Sequence, residues 1–328
     1  MQSFARTGSP THRIHLFVSG ETYRVAVATC VLTLVFAVVV WNSPGLLRWA
    51  AINRILLDGA PFLLLVIGLT LPVLLGCLDL SVAALASLAA VVCAILAGPL
   101  GSWAVPAVVA GGTLIGAAQG YISARVQIPS FILTLGSLGV FSGMALFLSG
   151  DSTIAVDGGL FFFNFLTSKA FLLPNAVWLV LAWLVLLSAI LGLTRLGRDI
   201  NAVGASELAA YISGVNRGFL RALAFAISGM CASLAGVMLL SQTLYASSGI
   251  ANTLLLPTLV GVVLGGTAIS GGVGTLTGSV IGGLIVVLVR VGTAAIGLPG
   301  ATQDIIFGVV VLIAVAITTD RSKIGVIK

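Results

Sequence analysis

Histidine, lysine and acidic residues are scarce in this chain. Among 328 residues there are nine Asp or Glu, three lysines and two histidines. Both histidines, His12 and His15, lie near the amino end, so the apolar body can build neither a Ser-His dyad nor an HExxH zinc site. No Gly-Lys-Ser/Thr occurs, which excludes ATP hydrolysis through a phosphate loop of that type. No two carboxylates stand at helical spacing for acid–base work. Cys30, Cys77, Cys93 and Cys231 lie in apolar runs without metal-ligand spacing and read as buried thiols. The chain is therefore expected to hold no catalytic residue, metal or cofactor of its own.

Apolar residues fill the space these absences leave. The chain is 59% hydrophobic and 7% charged, with a mean hydropathy of +1.22. A soluble domain carries about 25% charged residues. There is too little polar surface to cover a globule, so the fold class is all-α and the protein a polytopic membrane protein. Forty glycines fit close helix packing in lipid. The net charge of +6 follows from topology and points to no nucleic acid.

Residues 1–22 form a basic leader, 23–320 a single membrane domain and 321–328 a basic tail. Hydropathy and turn residues predict about ten spans. They run near 23–41, 55–76, 79–97, 102–123, 129–149, 176–194, 218–240, 254–269, 274–296 and 301–319. The polar breaks at 150–175 and 195–217 fall on opposite sides. With the amino end in the cytosol, inside segments hold eleven Lys or Arg and outside segments three, and Arg290 lies in a span. That bias places both termini and the 195–217 loop in the cytosol, and 150–175 outside.

The stretch from Arg195 to Arg221 holds four of the twelve arginines. Ser206 can cap a short helix reaching Tyr211 or Ser213, Glu207 suits its positive amino end, and Gly214 can close it. Such a helix could dock a soluble partner; it could equally be a basic loop anchoring two spans. Two glycine rows, Gly112, Gly116, Gly120 and Gly274, Gly278, Gly282, predict smooth helix faces for close packing. Charges within the apolar region are Asp58, Asp79, Arg290 and Asp304. Capping accounts for Asp79, which precedes Ser81. A row of mid-membrane acids, expected of an ion-driven carrier, is missing. The residues thus describe a conduit driven by a separate motor, with an ion-coupled carrier as the alternative.

Several stretches resemble the sugar-type permeases of ABC importers, the ribose, xylose and galactose group. Gly76-Cys-Leu-Asp79-Leu-Ser81 is similar to their GGIDLSVG, and Pro129 to Gly136 to P-x-F-I-x-T-L-G. Residues 197–216 resemble their GR-x-x-x-A-x-G…AA…SGI-N loop, and Gly265 to Gly278 their GGT-x-x-x-GG-x-G-x-x-x-G. Cys77 and Ala83 replace glycines, Ser206 replaces an Asn, and Asn252 to Pro257 replaces an acidic run, leaving the solute open.

The resemblance implies a type II ABC importer fold in the bacterial inner membrane. It implies a second, identical or non-identical permease, ATP-binding subunits and a periplasmic solute-binding protein. Residues 206–214 would be the coupling helix, supported by Arg198, Gly204, Ser206, Glu207, Ala210, Gly214 and Asn216. Asp79, Ser81, Thr134 and Ser270 are candidate pathway or gate residues. A permease for branched-chain amino acids is the nearer rival.

Overall fold

The computed structural model describes residues 10–306, 308 and 309. Its helices are α1 (Pro10–Asn42), α2 (Trp49–Leu74), α3 (Val82–Leu100), α4 (Ala104–Val126), α5 (Ser130–Ser149) and α6 (Leu160–Thr167). There follow α7 (Asn175–Leu193), α8 (Arg195–Ala205), α9 (Glu207–Ile212), α10 (Arg217–Thr243), α11 (Leu255–Leu264) and α12 (Leu276–Ala295). Four two-residue strands pair antiparallel: β1 (Ile154–Ala155), β2 (Lys169–Ala170), β3 (Leu173–Pro174) and β4 (Tyr245–Ala246), as β1 with β4 and β2 with β3. Among the described residues, seven stretches are long and apolar enough to cross a membrane, one being the 45 residues from Val82 to Val126 that hold both α3 and α4. This is an all-α polytopic membrane protein. The expected last span, 301–319, and the leader's first nine residues lie largely or wholly outside the described residues.

α2 sits at the centre, with every residue from Gly59 to Leu74 buried. A helix apolar all round belongs inside a bundle. It contains Pro61, whose missing N–H leaves the carbonyl of Leu57 without its helical donor. Gln242 Nε2 supplies that donor from α10, at 2.7 Å. α10 also packs on α3 and α4. Gly112, Gly116 and Gly120 of α4 press against Ser233, Phe225 and Arg221 of α10, so those two helices run antiparallel. Gly236 of α10 meets Ala86 and Ala90 of α3, and Ser228 meets Asp79, so those two run parallel. The chain therefore reverses between α3 and α4, at Gly101 with φ +54°.

The first glycine row packs as expected; the second requires a correction. Gly278 and Gly282 lie on α12 and face the backbone of Gly265 and Gly261. Gly274 precedes the helix, in a loop at φ +146°, because Thr275 caps α12 through its hydroxyl to Gly278 N. Glycine serves there for its backbone freedom. The expected span at 254–269 is also shorter. Its helical part, Asn252–Leu264, covers 13 residues, roughly 20 Å against a hydrocarbon core of about 30 Å. Cys77, Cys93 and Cys231 are buried, but Cys30 is exposed on α1, whose span is 11% buried and turns most of its surface outward.

Candidate functional site

Two interruptions of the helices meet at one place. The first is Gly76–Ser81, between α2 and α3; the second is Gly265–Thr275, between α11 and α12. Gly272 N donates to Leu74 O at 2.8 Å, joining the two. Gly204, at the end of α8, presses on Leu74 O and on Gly272 N, where a Cβ has no room. Three stretches far apart in sequence thus share one junction.

The first interruption leaves peptide groups outside any helix, and buried ones need partners. α5 supplies them. Ser130 Oγ accepts from Leu78 N, and Thr134 Oγ1 accepts from Leu80 N and donates to Leu78 O, each at 3.1 Å. Asp79 is buried and accepts from Ser81 N (3.0 Å), Ser81 Oγ (2.7 Å) and Ser228 Oγ (2.7 Å). Gln119 Nε2 donates to Ser81 Oγ at 3.0 Å, which ties α4 to the same cluster. The structure brings Asp79, Ser81 and Thr134 together and buries all three. Ser270 stands apart from that cluster, exposed on the second interruption, with its carbonyl against Gly76. Among the other charges singled out, Asp58 pairs with Arg54 at 2.9 Å along the exposed start of α2, and Arg290 is half-buried on α12.

Beyond α8 the chain follows its capping residues. Ser206 Oγ accepts from Ala209 N (3.4 Å), α9 runs through Ile212, and Gly214 turns the chain at φ +81°. Asn216 Oδ1 accepts from Phe219 N (3.0 Å) and starts α10. Ala210 is the buried residue of α9. The Glu207 carboxylate is gripped by two arginines of α10: Arg217 on one oxygen and Arg221 on the other, both at 2.9 Å. The Arg217 guanidinium also lies 5.0 Å from the centre of the Tyr211 ring. Glu207, Arg217 and Arg221 line a cavity of about 460 Å³ together with Cys77, Leu78 and Ser130, so the clamp and the first interruption share one cavity. Arg198 is exposed and forms no ion pair among the described residues.

On its other side α9 is bare. Leu208, Tyr211 and Ile212 are 70%, 60% and 77% exposed, an i, i+3, i+4 set making one apolar face. The clamp ties α9 to α10 and leaves that face turned outward. Sequence reasoning missed Gln119, Ser130 and Ser228, hydroxyl and amide side chains inside apolar runs. It passed over the grip of Arg217 and Arg221, although their spacing of four puts both on one helix face.

Residues 51–315 match the family described as the permease component of the branched-chain amino acid transport system. The chain belongs to this permease family. The permease is 31% identical to the ribose import permease protein RbsC of Escherichia coli K12 over 297 residues, 88% of this chain and 92% of that one. It is 32% identical to RbsC of Bacillus subtilis over 289 residues, 86% of this chain and 85% of the relative. The autoinducer 2 import system permease protein LsrC of Klebsiella pneumoniae is 33% identical over 202 residues, 61% and 58% of the two chains. No solved structure matches the chain. The permease is a multi-pass protein of the bacterial inner membrane and a transport subunit.

Proposed function

We infer that the chain is the membrane-spanning permease subunit of an ATP-driven ABC importer for a monosaccharide or a related small, polar, uncharged solute. The family description mentions branched-chain amino acids, but several relatives matched over more than four fifths of the chain are ribose import permeases, which favours a sugar. The observation that carries the motor-driven reading is the bare face of α9 on its ionic clamp. Leu208, Tyr211 and Ile212 fit a groove of a soluble ATP-binding subunit, and Glu207 transmits its displacement to α10 through Arg217 and Arg221. From there the push reaches both interruptions, through Gly204 and through Ser228 on Asp79. In this scheme α9 is the coupling helix and lies in the cytosol with both termini. Asp79, Ser81 and Thr134 form the joint about which α3 and α5 move, and Ser270 sits on the cytosolic rim.

A second permease, identical or not, would complete the pathway, and a periplasmic binding protein would meet the far side at 150–175. The test is a mild-detergent pull-down of the full chain from native membranes, read by mass spectrometry. Co-purification of a stoichiometric subunit with a G-x-x-x-x-G-K-[ST] motif is the expected result. Recovery of the chain alone, with uptake driven by an ion gradient, would replace the reading with a carrier.

A further inference from the structure

After β4 the chain turns back into the bundle before α11 begins. Ala251 N donates to Ser87 Oγ at 3.0 Å, and Ser87 Oγ stands 3.4 Å from Asn252 Oδ1. Ser87 is fully buried on α3. It lies ten residues, about 15 Å, from Ala97, where α3 meets the loop at Asp157–Gly159. Measured on α10, Ser87 lies beside Gly236, seven residues or about 10 Å inside the helix end at Thr243. Both measures put Asn252 deep within a hydrocarbon core about 30 Å thick.

Asn252 and Thr253 are nevertheless exposed on the surface of the single chain, beside Leu256 at 50% exposure. The Ser87 hydroxyl has one proton, and Ala83 O (3.1 Å) is a nearer acceptor than Asn252 Oδ1. Gly249 keeps the carboxamide unobstructed, since a Cβ there would stand 3.1 Å from Asn252 Nδ2. Oδ1 shares the Ser87 hydroxyl, but Nδ2 has no hydrogen-bond partner among the described residues; an amide donor facing acyl chains is costly, because lipid supplies no partner. The stretch that carries it is also uncharged: no Asp, Glu, Lys, Arg or His occurs between Arg221 and Arg290.

We propose that Asn252, with Thr253, faces a water-filled path and is a mid-membrane station for a neutral, hydroxyl-rich solute. A carboxamide offers two donors and an acceptor, which suits alternating hydroxyls. Lacking charge, it holds such a solute weakly enough to release it. The nature of the solute rests on the importer reading; the wet face does not.

The test is Asn252→Cys in the full chain, assembled with its native partners in proteoliposomes and treated with the membrane-impermeant anionic thiosulfonate MTSES. Labelling at least tenfold faster than wild type, and than Leu34→Cys on the outward face of α1, is expected. Labelling no faster than wild type overturns the proposal. In the same membranes Asn252→Leu is expected to lower ribose uptake at least tenfold with the amount of assembled protein unchanged, and Asn252→Gln to keep a measurable part. Wild-type uptake by Asn252→Leu would remove the station even where the thiol of Asn252→Cys is accessible. MTSES labelling requires neither ATP nor solute, so failure of the importer reading would appear separately, as uptake independent of ATP.

Discussion

Ser228 donates to Asp79 at 2.7 Å across 149 positions of sequence, joining the middle of α10 to the gap between α2 and α3. This bond and the two from Ser81 leave the Asp79 carboxylate satisfied in a fully buried site. Removing one partner of a buried hydrogen bond costs about 1–3 kcal/mol. Ser228→Ala is therefore expected to lower the Tm of the detergent-purified permease. Asp79→Ala, which strands three donors, is expected to lower it further, and Asp79→Asn less than Asp79→Ala. Fluorescence-detected thermal unfolding measures this; equal Tm values for wild type and Asp79→Ala would show that the cluster stabilises nothing.

Glu207 holds α9 to α10, and Glu207→Lys would set three cations against one another. The expected outcome is ATP hydrolysis with uptake reduced at least tenfold in proteoliposomes. Glu207→Gln keeps one hydrogen bond and should fall between. Normal uptake per ATP in Glu207→Lys would remove α9 from the coupling path.

The bare face of α9 makes the converse prediction. Leu208 and Ile212 are 70% and 77% exposed, and surface changes such as Leu208→Asp with Ile212→Asp usually stay within about 0.5 kcal/mol. Thermal stability should hold while the ATP-binding subunit is lost from pull-downs. Retention of that subunit at wild-type stoichiometry would contradict the docking role.

Two kinds of glycine should respond oppositely. Gly204→Val drives a side chain into Leu74 O and Gly272 N, an overpacking worth about 1–3 kcal/mol or more. Gly136 on α5 has nothing within 4 Å of a Cβ, so Gly136→Ala should be neutral or, by helix propensity, stabilising by up to about 1 kcal/mol. Paired unfolding curves decide. Equal loss at both positions would mean that the face of α5 around Gly136 is covered in the membrane.

The signals that were legible in the sequence are short-range ones. Ser206 and Gly214 mark the ends of α9 because caps act within three or four residues. The spans were legible because hydropathy accumulates over a window. Gly274 was misplaced because a four-residue glycine spacing looks the same whether its first member lies on a helix or, at φ +146°, ahead of one. The shortness of α11 escaped notice because Leu254 to Leu264 is as apolar as a full span. The bond from Ala251 to Ser87 shows that the helix starts alongside the body of α3, inside the bundle. The partners of Asp79 were out of reach for a different reason: nothing local ties position 79 to position 228.

The charge-free run between Arg221 and Arg290 has an electrical consequence. Moving one elementary charge across the membrane potential involves about 2.3 kcal/mol per 100 mV. Rearrangement of residues 222–289 displaces no such charge, and a neutral solute adds none. Within that run the transmembrane voltage therefore acts on no formal charge, and any voltage dependence of transport enters through charged side chains elsewhere, Asp79 and the Glu207–Arg217–Arg221 clamp among them.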